Sequence, residues 1–125
     1  MGFFEIYVRD EFSSAHSLRE YEGNCARIHG HNWSVEVCIK CEELNKIGIG
    51  VDFRDLKKVL KEITGKLDHL YLNDLPEFKE VNPTAENIAK FIYGELKMKL
   101  KAKGVQLSKV STSESASTRA CYSEE

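Results

Sequence analysis

Residues 31–40, HNWSVEVCIK, alternate without exception: His31, Trp33, Val35, Val37 and Ile39 hold the odd positions, and Asn32, Ser34, Glu36, Cys38 and Lys40 the even ones. A period of two marks a strand with one buried face. The strand begins with a histidine on its apolar side. Just upstream, residues 25–33 read CARIHGHNW, which puts Cys25, His29 and His31 close together in a chain with only four histidines. Four readings stand open: a metal site, a catalytic thiol, both together, or an accident of composition.

Outward from this strand the pattern continues. Phe4, Ile6, Val8, Asp10, Phe12, Ser14 and His16 form the even positions of an earlier strand, joined to the first by the polar segment SLREYEGNCARI, residues 17–28. EELNKIGIG, residues 42–50, reads as a loop. Asp52 is an expected N-cap for a helix with Phe53, Leu56, Val59, Leu60, Ile63 and Leu67 on one stripe. A second helix is expected from a Thr84 N-cap, with Ile88, Phe91, Ile92, Leu96 and Leu100 inward and Gly104 as its stop. Asn87 stands where a capping box wants Glu or Gln, so that motif is incomplete. The tail from residue 105 reads as two short strands turning near Ser115 to Ser117. Strand, strand, helix, helix, strand, strand predicts an α+β fold, a four-stranded, mostly antiparallel sheet with two helices on one face.

Composition narrows the function. A chain of 125 residues, 42% hydrophobic and 30% charged, is expected to form one domain, residues 1–125, around one core. A net charge of -2 with no basic block argues against nucleic acid as a partner. No apolar run nears the roughly 18 residues of a membrane span. The start, MGFFEIYVRDEF, meets charged residues too early for a signal peptide and lacks the hydroxyl residue that myristoylation wants at position 6. A cytoplasmic protein is expected, with Cys25, Cys38, Cys41 and Cys121 as free thiols or ligands rather than disulfides.

The chemistry-bearing residues fall into four groups. His29 and His31, one residue apart on extended chain, point the same way and can grip one ion. If the two strands pair as a long hairpin, His16 lies opposite them, and three neutral imidazoles with an open fourth position describe a catalytic zinc site. Cys25 lies in a loop; near a cation its thiol would deprotonate more readily and act as a fourth ligand or a base. Cys41 and Cys121 suit burial as small hydrophobes better than Cys25 does. The C-x-x-C of Cys38 and Cys41 is incidental, because the two thiols of one strand would face opposite ways. In LDHLYLND, residues 67–74, Asp68 beside His69 could relay a proton. Glu114, alone among small hydroxylated residues, would need a donor partner if buried. A ligand with a guanidine-like edge would supply two parallel N–H donors; otherwise Glu114 is an exposed acid in a hairpin.

In combination, FSSAH, CARIHGHNW, GIGVDFRDLK, LDHLYLND, NPTAENIAKFI and the terminal ESAS with CY resemble the 6-pyruvoyl-tetrahydropterin synthase / 6-carboxy-tetrahydropterin synthase family over nearly the whole chain. The resemblance implies a T-fold whose subunits close into a barrel, as a homo-oligomer, usually a hexamer, with active sites at subunit interfaces. It implies Zn2+ held by His16, His29 and His31, with Cys25 as the proton acceptor. Asp68 and His69 would be the relay pair from a neighbouring subunit, Glu114 the anchor for the pterin's 2-amino and N3 edge, and Thr84 part of the pterin pocket from an adjacent chain. Arg27 and Arg19 are the nearest cations for a triphosphate.

The implied activity is conversion of 7,8-dihydroneopterin 3'-triphosphate to 6-carboxy-5,6,7,8-tetrahydropterin, acetaldehyde and triphosphate, on the 7-deazapurine (queuosine and archaeosine) route. The short loops and terminal CY look more like this type than the 6-pyruvoyl type, which eliminates triphosphate on the biopterin branch. Cys25 counts against a folate-route variant that carries Glu instead. A different class of reading is a non-catalytic zinc-stabilised module in which Cys25 closes the site, but such a module needs no Glu114, Asp68 or His69. GTP ring opening on a related T-fold calls for cysteine ligands arranged differently.

Overall fold

Two strands of thirteen residues, β1 (Phe4–His16) and β2 (His29–Cys41), form one long antiparallel hairpin. The computed structural model describes residues 2–21, 23 and 26–124. The hairpin register runs unbroken from Phe4 opposite Cys41 to His16 opposite His29. It sets even residues of β1 beside odd residues of β2, so Val8, Phe12, Trp33, Val35, Val37 and Ile39 share one buried face. A slip of one residue would turn every one of them outward. Asp10, the charged residue on that face, is met from the helix layer: Thr64 Oγ1 donates to its Oδ2 at 2.6 Å, and Lys61 Nζ lies 3.5 Å from its Oδ1.

Helix α1 (Phe53–Thr64) and helix α2 (Ala85–Lys101) come next in the chain, followed by β3 (Gln106–Ser115) and β4 (Thr118–Ser123). The sheet order is β1-β2-β3-β4, every neighbour antiparallel, with both helices packed on one face. This is the expected α+β arrangement. Asp52 caps α1 by accepting the Arg54 N–H at 2.8 Å, and Thr84 caps α2 by accepting the Asn87 N–H at 3.1 Å. The chain leaves α2 through Gly104, whose φ of +71° needs glycine's freedom. Among the described residues no helix is long and apolar enough to cross a membrane.

Some expectations differ in detail. Phe53 is 59% exposed, because it is the first residue of α1 and lies before the buried stripe of Leu56, Val59, Leu60 and Ile63 takes hold. Leu67 is buried, but beyond the helix, which stops at Thr64. The buried thiol is Cys38, covered on the helix-free face where Tyr7 and Lys109 flank it; Cys41 is half-buried and Cys121 exposed. Burial pushes the Cys38 thiol up from its ordinary value, which keeps it protonated and unreactive. Cys25 lies outside the described residues.

The segment after α1 docks on the free edge of β1. Ser13 N–H donates to Asp68 Oδ1 at 2.8 Å, Ala15 N–H to the Leu70 carbonyl at 2.9 Å, and His69 N–H to the Ser13 carbonyl. Ser14 Oγ also donates to the Leu67 carbonyl. His69 adopts a left-handed φ of +58°, unusual for a residue with a Cβ. The end of β1 that carries His16 is therefore fastened on both sides, by β2 and by this segment.

Leu60→Ala removes a fully buried side chain and is expected to cost about 2–5 kcal/mol in urea unfolding. Phe53→Ala should change stability by only about 0.5 kcal/mol. Equal losses from the two substitutions would contradict the packing described.

Candidate metal centre

The register brings His16 directly across from His29, and His31 follows two residues along the same face. The three rings meet edge to face. Their centroids lie 4.5 Å apart for His16–His29, 4.9 Å for His29–His31 and 5.2 Å for His16–His31. Trp33, fully buried, packs edge-on against His16 at 5.0 Å and His31 at 5.4 Å and forms the floor of the cluster. Glu114 arrives from β3 on the same face as Val110 and Thr112, four and two residues before it. One ligand atom from each of His16, His29, His31 and Glu114 lies within 4.8 Å of all the others.

Backbone carbonyls settle the tautomers of two rings. His16 Nδ1–H donates to the Pro83 carbonyl at 2.7 Å, and His29 Nδ1–H donates to the Arg27 carbonyl at 2.7 Å. A carbonyl only accepts, so Nδ1 carries the hydrogen in each, and the neutral form of either ring keeps its lone pair on Nε2. That is the arrangement of metal-ligating histidines, whose second ring nitrogen is held by a carbonyl or carboxylate. His16 is also the most deeply buried of the three, at 1% exposure. Its burial holds the imidazole below the ordinary value of 6.5, and the neighbouring histidines push the same way against the Pro83 carbonyl and Glu114. His16 is therefore neutral at neutral pH.

The fit to a cation shows in what is left unpaired. Among the described residues, His16 Nε2 and His31 Nε2 are buried without a hydrogen-bond partner. Yet Glu114 Oε2 lies 2.6 Å from His31 Nε2 and 3.9 Å from His16 Nε2. The close nitrogen–oxygen approach is not aligned as a hydrogen bond, and the ligand atoms of all four residues lie within 4.8 Å of one another. Orphaned buried donors or acceptors are costly, and a cation among these atoms would satisfy them together. These four residues could hold a metal ion.

Glu114 was singled out in the sequence as a ligand anchor; its place within the metal-capable cluster was not, because β3's register after its bulge is invisible in an isolated run of serines. Thr84, with the cap of α2, lines the same open pocket as His16, Arg19, Asn82 and Glu114. Arg27 is exposed and contributes its carbonyl, through His29. Arg19 directs its guanidinium into backbone carbonyls of the neighbouring loop.

Asp68 and His69 stand apart. His69 Nδ1 lies 2.8 Å from Asp68 Oδ2, with the His69 side chain 82% exposed, so its Nε2 faces outward from the β1 edge. Among the described residues, no hydrogen bond or ion pair joins this pair to the three histidines. The Ser13 N–H, and then His69, hold the Asp68 carboxyl below its ordinary value of 3.8.

The sequence profile of the family described as 6-pyruvoyl tetrahydropterin synthase matches residues 5–125. A protein of Archaeoglobus fulgidus named putative 6-carboxy-5,6,7,8-tetrahydropterin synthase is 40% identical over 91 residues, covering 73% of this chain and 74% of that one. One of Dictyostelium discoideum named 6-pyruvoyl tetrahydrobiopterin synthase is 39% identical over 105 residues, covering 74% and 78%. Several bacterial relatives also carry the 6-carboxy name. The solved structure of Caenorhabditis elegans 6-pyruvoyl tetrahydropterin synthase matches with a TM-score of 0.88 at 28% identity, over 100% of this chain and 98% of that one. The architecture is that of a T-fold subunit.

His31→Ala is expected to abolish stoichiometric metal binding, measured by elemental analysis after desalting; unchanged metal content would contradict the cluster. The Asp68 carboxylate, with its lowered native value, stabilises the fold above pH 3.8 and loses that contribution as pH falls through the lowered value. Asp68→Asn should therefore lower the melting temperature at pH 7, and the difference should shrink as pH falls below 3.8. A gap that stays the same at the lower pH would contradict the ionic role.

Proposed function

Because the chain belongs to the 6-pyruvoyl tetrahydropterin synthase family, we propose that it converts 7,8-dihydroneopterin 3'-triphosphate to 6-carboxy-5,6,7,8-tetrahydropterin, acetaldehyde and triphosphate. The observation that carries this reading is the convergence of unpaired imidazole nitrogens with the Glu114 carboxylate beside a pocket open to a small molecule. The 6-carboxy product is favoured by the names of the Archaeoglobus protein and the bacterial relatives.

His16, His29 and His31 would hold Zn2+, a metal suited to three neutral imidazoles. When bound, zinc supplies Lewis-acid chemistry toward the hydroxylated side chain and eases loss of the adjacent C–H proton. The protein's own groups do the rest. Glu114, a carboxylate at the pocket, accepts two parallel N–H bonds from the guanidine-like edge of the pterin. Thr84 lines the same pocket and places the ring beside it. Cys25, four residues before His29, takes the substrate proton as thiolate. Arg27, exposed beside this loop, is the candidate for the triphosphate.

His69 acts as proton relay from a neighbouring subunit. Asp68 fixes the ring by accepting from Nδ1–H, which leaves Nε2 outward. Among the described residues, the edge of β1 before Ser13 and the edge of β4 carry no further strand, and unpaired edges invite strand addition. Edge-to-edge pairing of copies, closing a barrel within a homohexamer, would carry His69 toward the next copy's histidines. The place of action is the cytoplasm. No nucleic acid or membrane takes part.

The test is a product assay with the zinc-loaded protein and 7,8-dihydroneopterin triphosphate, read by mass spectrometry. Formation of 6-carboxy-tetrahydropterin with acetaldehyde supports the proposal. A 6-pyruvoyl product, the activity in the name of the Dictyostelium relative, would move the protein to triphosphate elimination at the same site. No turnover with zinc bound would return it to a zinc-stabilised module. Cys25→Ala should keep its zinc and fold while losing about 100-fold or more in kcat; full activity would remove the thiol from the mechanism.

A further inference from the structure

His16 is the last residue of β1, where strand pairing with β2 ends, and it is the most buried of the cluster. The chain beyond it is nevertheless held as tightly as a strand. Ser17 N–H donates to Asn73 Oδ1 at 2.9 Å and the Ser17 carbonyl accepts from Asn73 Nδ2 at 2.9 Å. Two residues on, Arg19 N–H donates to Asn82 Oδ1 at 2.9 Å and the Arg19 carbonyl accepts from Asn82 Nδ2 at 3.0 Å. Each asparagine amide thus does for one residue what a neighbouring strand would do, with one donor and one acceptor.

Asn82 directly precedes Pro83, whose carbonyl receives His16 Nδ1–H. The orientation of that carbonyl is set on both sides. Upstream, the Asn82 side chain is locked to the Arg19 backbone, and the Asn82 carbonyl accepts from Thr84 N–H at 2.8 Å and Asn87 Nδ2 at 2.9 Å. Downstream, Thr84 is the N-cap of α2, and the Pro83 ring fixes φ between them. The Arg19 guanidinium braces the loop further, donating to the carbonyls of Phe78 at 2.7 Å, Asn73 at 3.3 Å and Val81 at 3.3 Å.

We propose that Asn82 and Arg19 are positioning residues for the metal centre: their clamp holds the Pro83 carbonyl against His16 Nδ1, which fixes the Nδ1–H tautomer and aims Nε2 into the cluster. The proposal rests on the metal reading above and deepens it. His29 depends on no such device, because its carbonyl partner, Arg27, is two residues away in the same segment. His16 takes its partner from 67 residues along the chain, so its tautomer is only as fixed as the clamp. This use of Arg19 engages donors that a bound phosphate would otherwise take. Partners of metal-ligating histidines are typically worth 10–100-fold in metal affinity.

The experiment titrates the apo-protein with Co2+ alone, follows the visible absorption of the bound ion, and reads the His16 tautomer in the apo-protein by 15N NMR. Wild type should show His16 protonated at Nδ1. Asn82→Ala should show a mixture of tautomers, about tenfold weaker Co2+ binding and an altered cobalt spectrum. Arg19→Ala leaves the backbone exchange with Asn82 in place and should move all three readouts the same way by less, with Arg19→Lys recovering part of the loss. If Asn82→Ala fails to fold, Arg19→Ala decides. Folded variants with wild-type tautomer and affinity would overturn the clamp. A folded wild-type chain that binds no Co2+ would instead refute the metal reading, while its His16 tautomer still tests the clamp.

Discussion

Everything at the candidate site depends on one pairing, His16 opposite His29 at the loop end of the β1–β2 hairpin. The two histidines are thirteen residues apart in sequence, yet the register brings their ring centroids to 4.5 Å. The same register places Phe12 beside Trp33 and Val8 beside Val37. The hydrophobic face that stabilises the hairpin and the imidazoles that serve the site are therefore one alternation continued to its end. Burial of the core specifies the register, and the register specifies the cluster. The helices contribute through their ends: α2 places Thr84 and the Pro83 carbonyl, and the segment after α1 secures the free edge of β1.

Burial also sorts the four histidines by task. His16, His29 and His31 form a cluster in which two buried nitrogens lack partners among the described residues, an arrangement that is costly unless something positive binds there. His69 is exposed, left-handed in backbone and tied to a carboxylate. The first group suits a fixed ion. The second suits a group that meets solvent or another molecule, which is consistent with its placement on a strand edge.

Much of this was legible in the sequence for a physical reason. Alternation from His31 to Ile39 and from Phe4 to His16 is a local property, so both strands and the shared direction of His29 and His31 could be read directly. The place of His16 opposite them followed only if the strands paired as a long hairpin. The caps at Asp52 and Thr84 were legible because a single side chain satisfies a helix N-terminus. What escaped depends on distant chain. The exposure of Phe53 and the burial of Cys38 follow from how α1 and the helix-free face pack, not from local spacing. The arrival of Glu114 against His31 depends on β3 pairing with β2 after a register shift. The asparagine exchanges at Ser17 and Arg19 span 56 and 63 residues, and no sequence period announces them. The family resemblance drew Glu114, Asp68 and His69 together where spacing alone left each of them ordinary.

The central claim is that the end of the hairpin is a metal centre built from the Nε2 atoms of His16, His29 and His31. The most direct measurement is anomalous diffraction at the zinc edge from crystals grown after zinc loading. The account predicts one strong peak per chain within about 2.1 Å of those three nitrogens. A loaded, folded protein whose anomalous peak lies elsewhere, or that shows none at the three histidines, would contradict it.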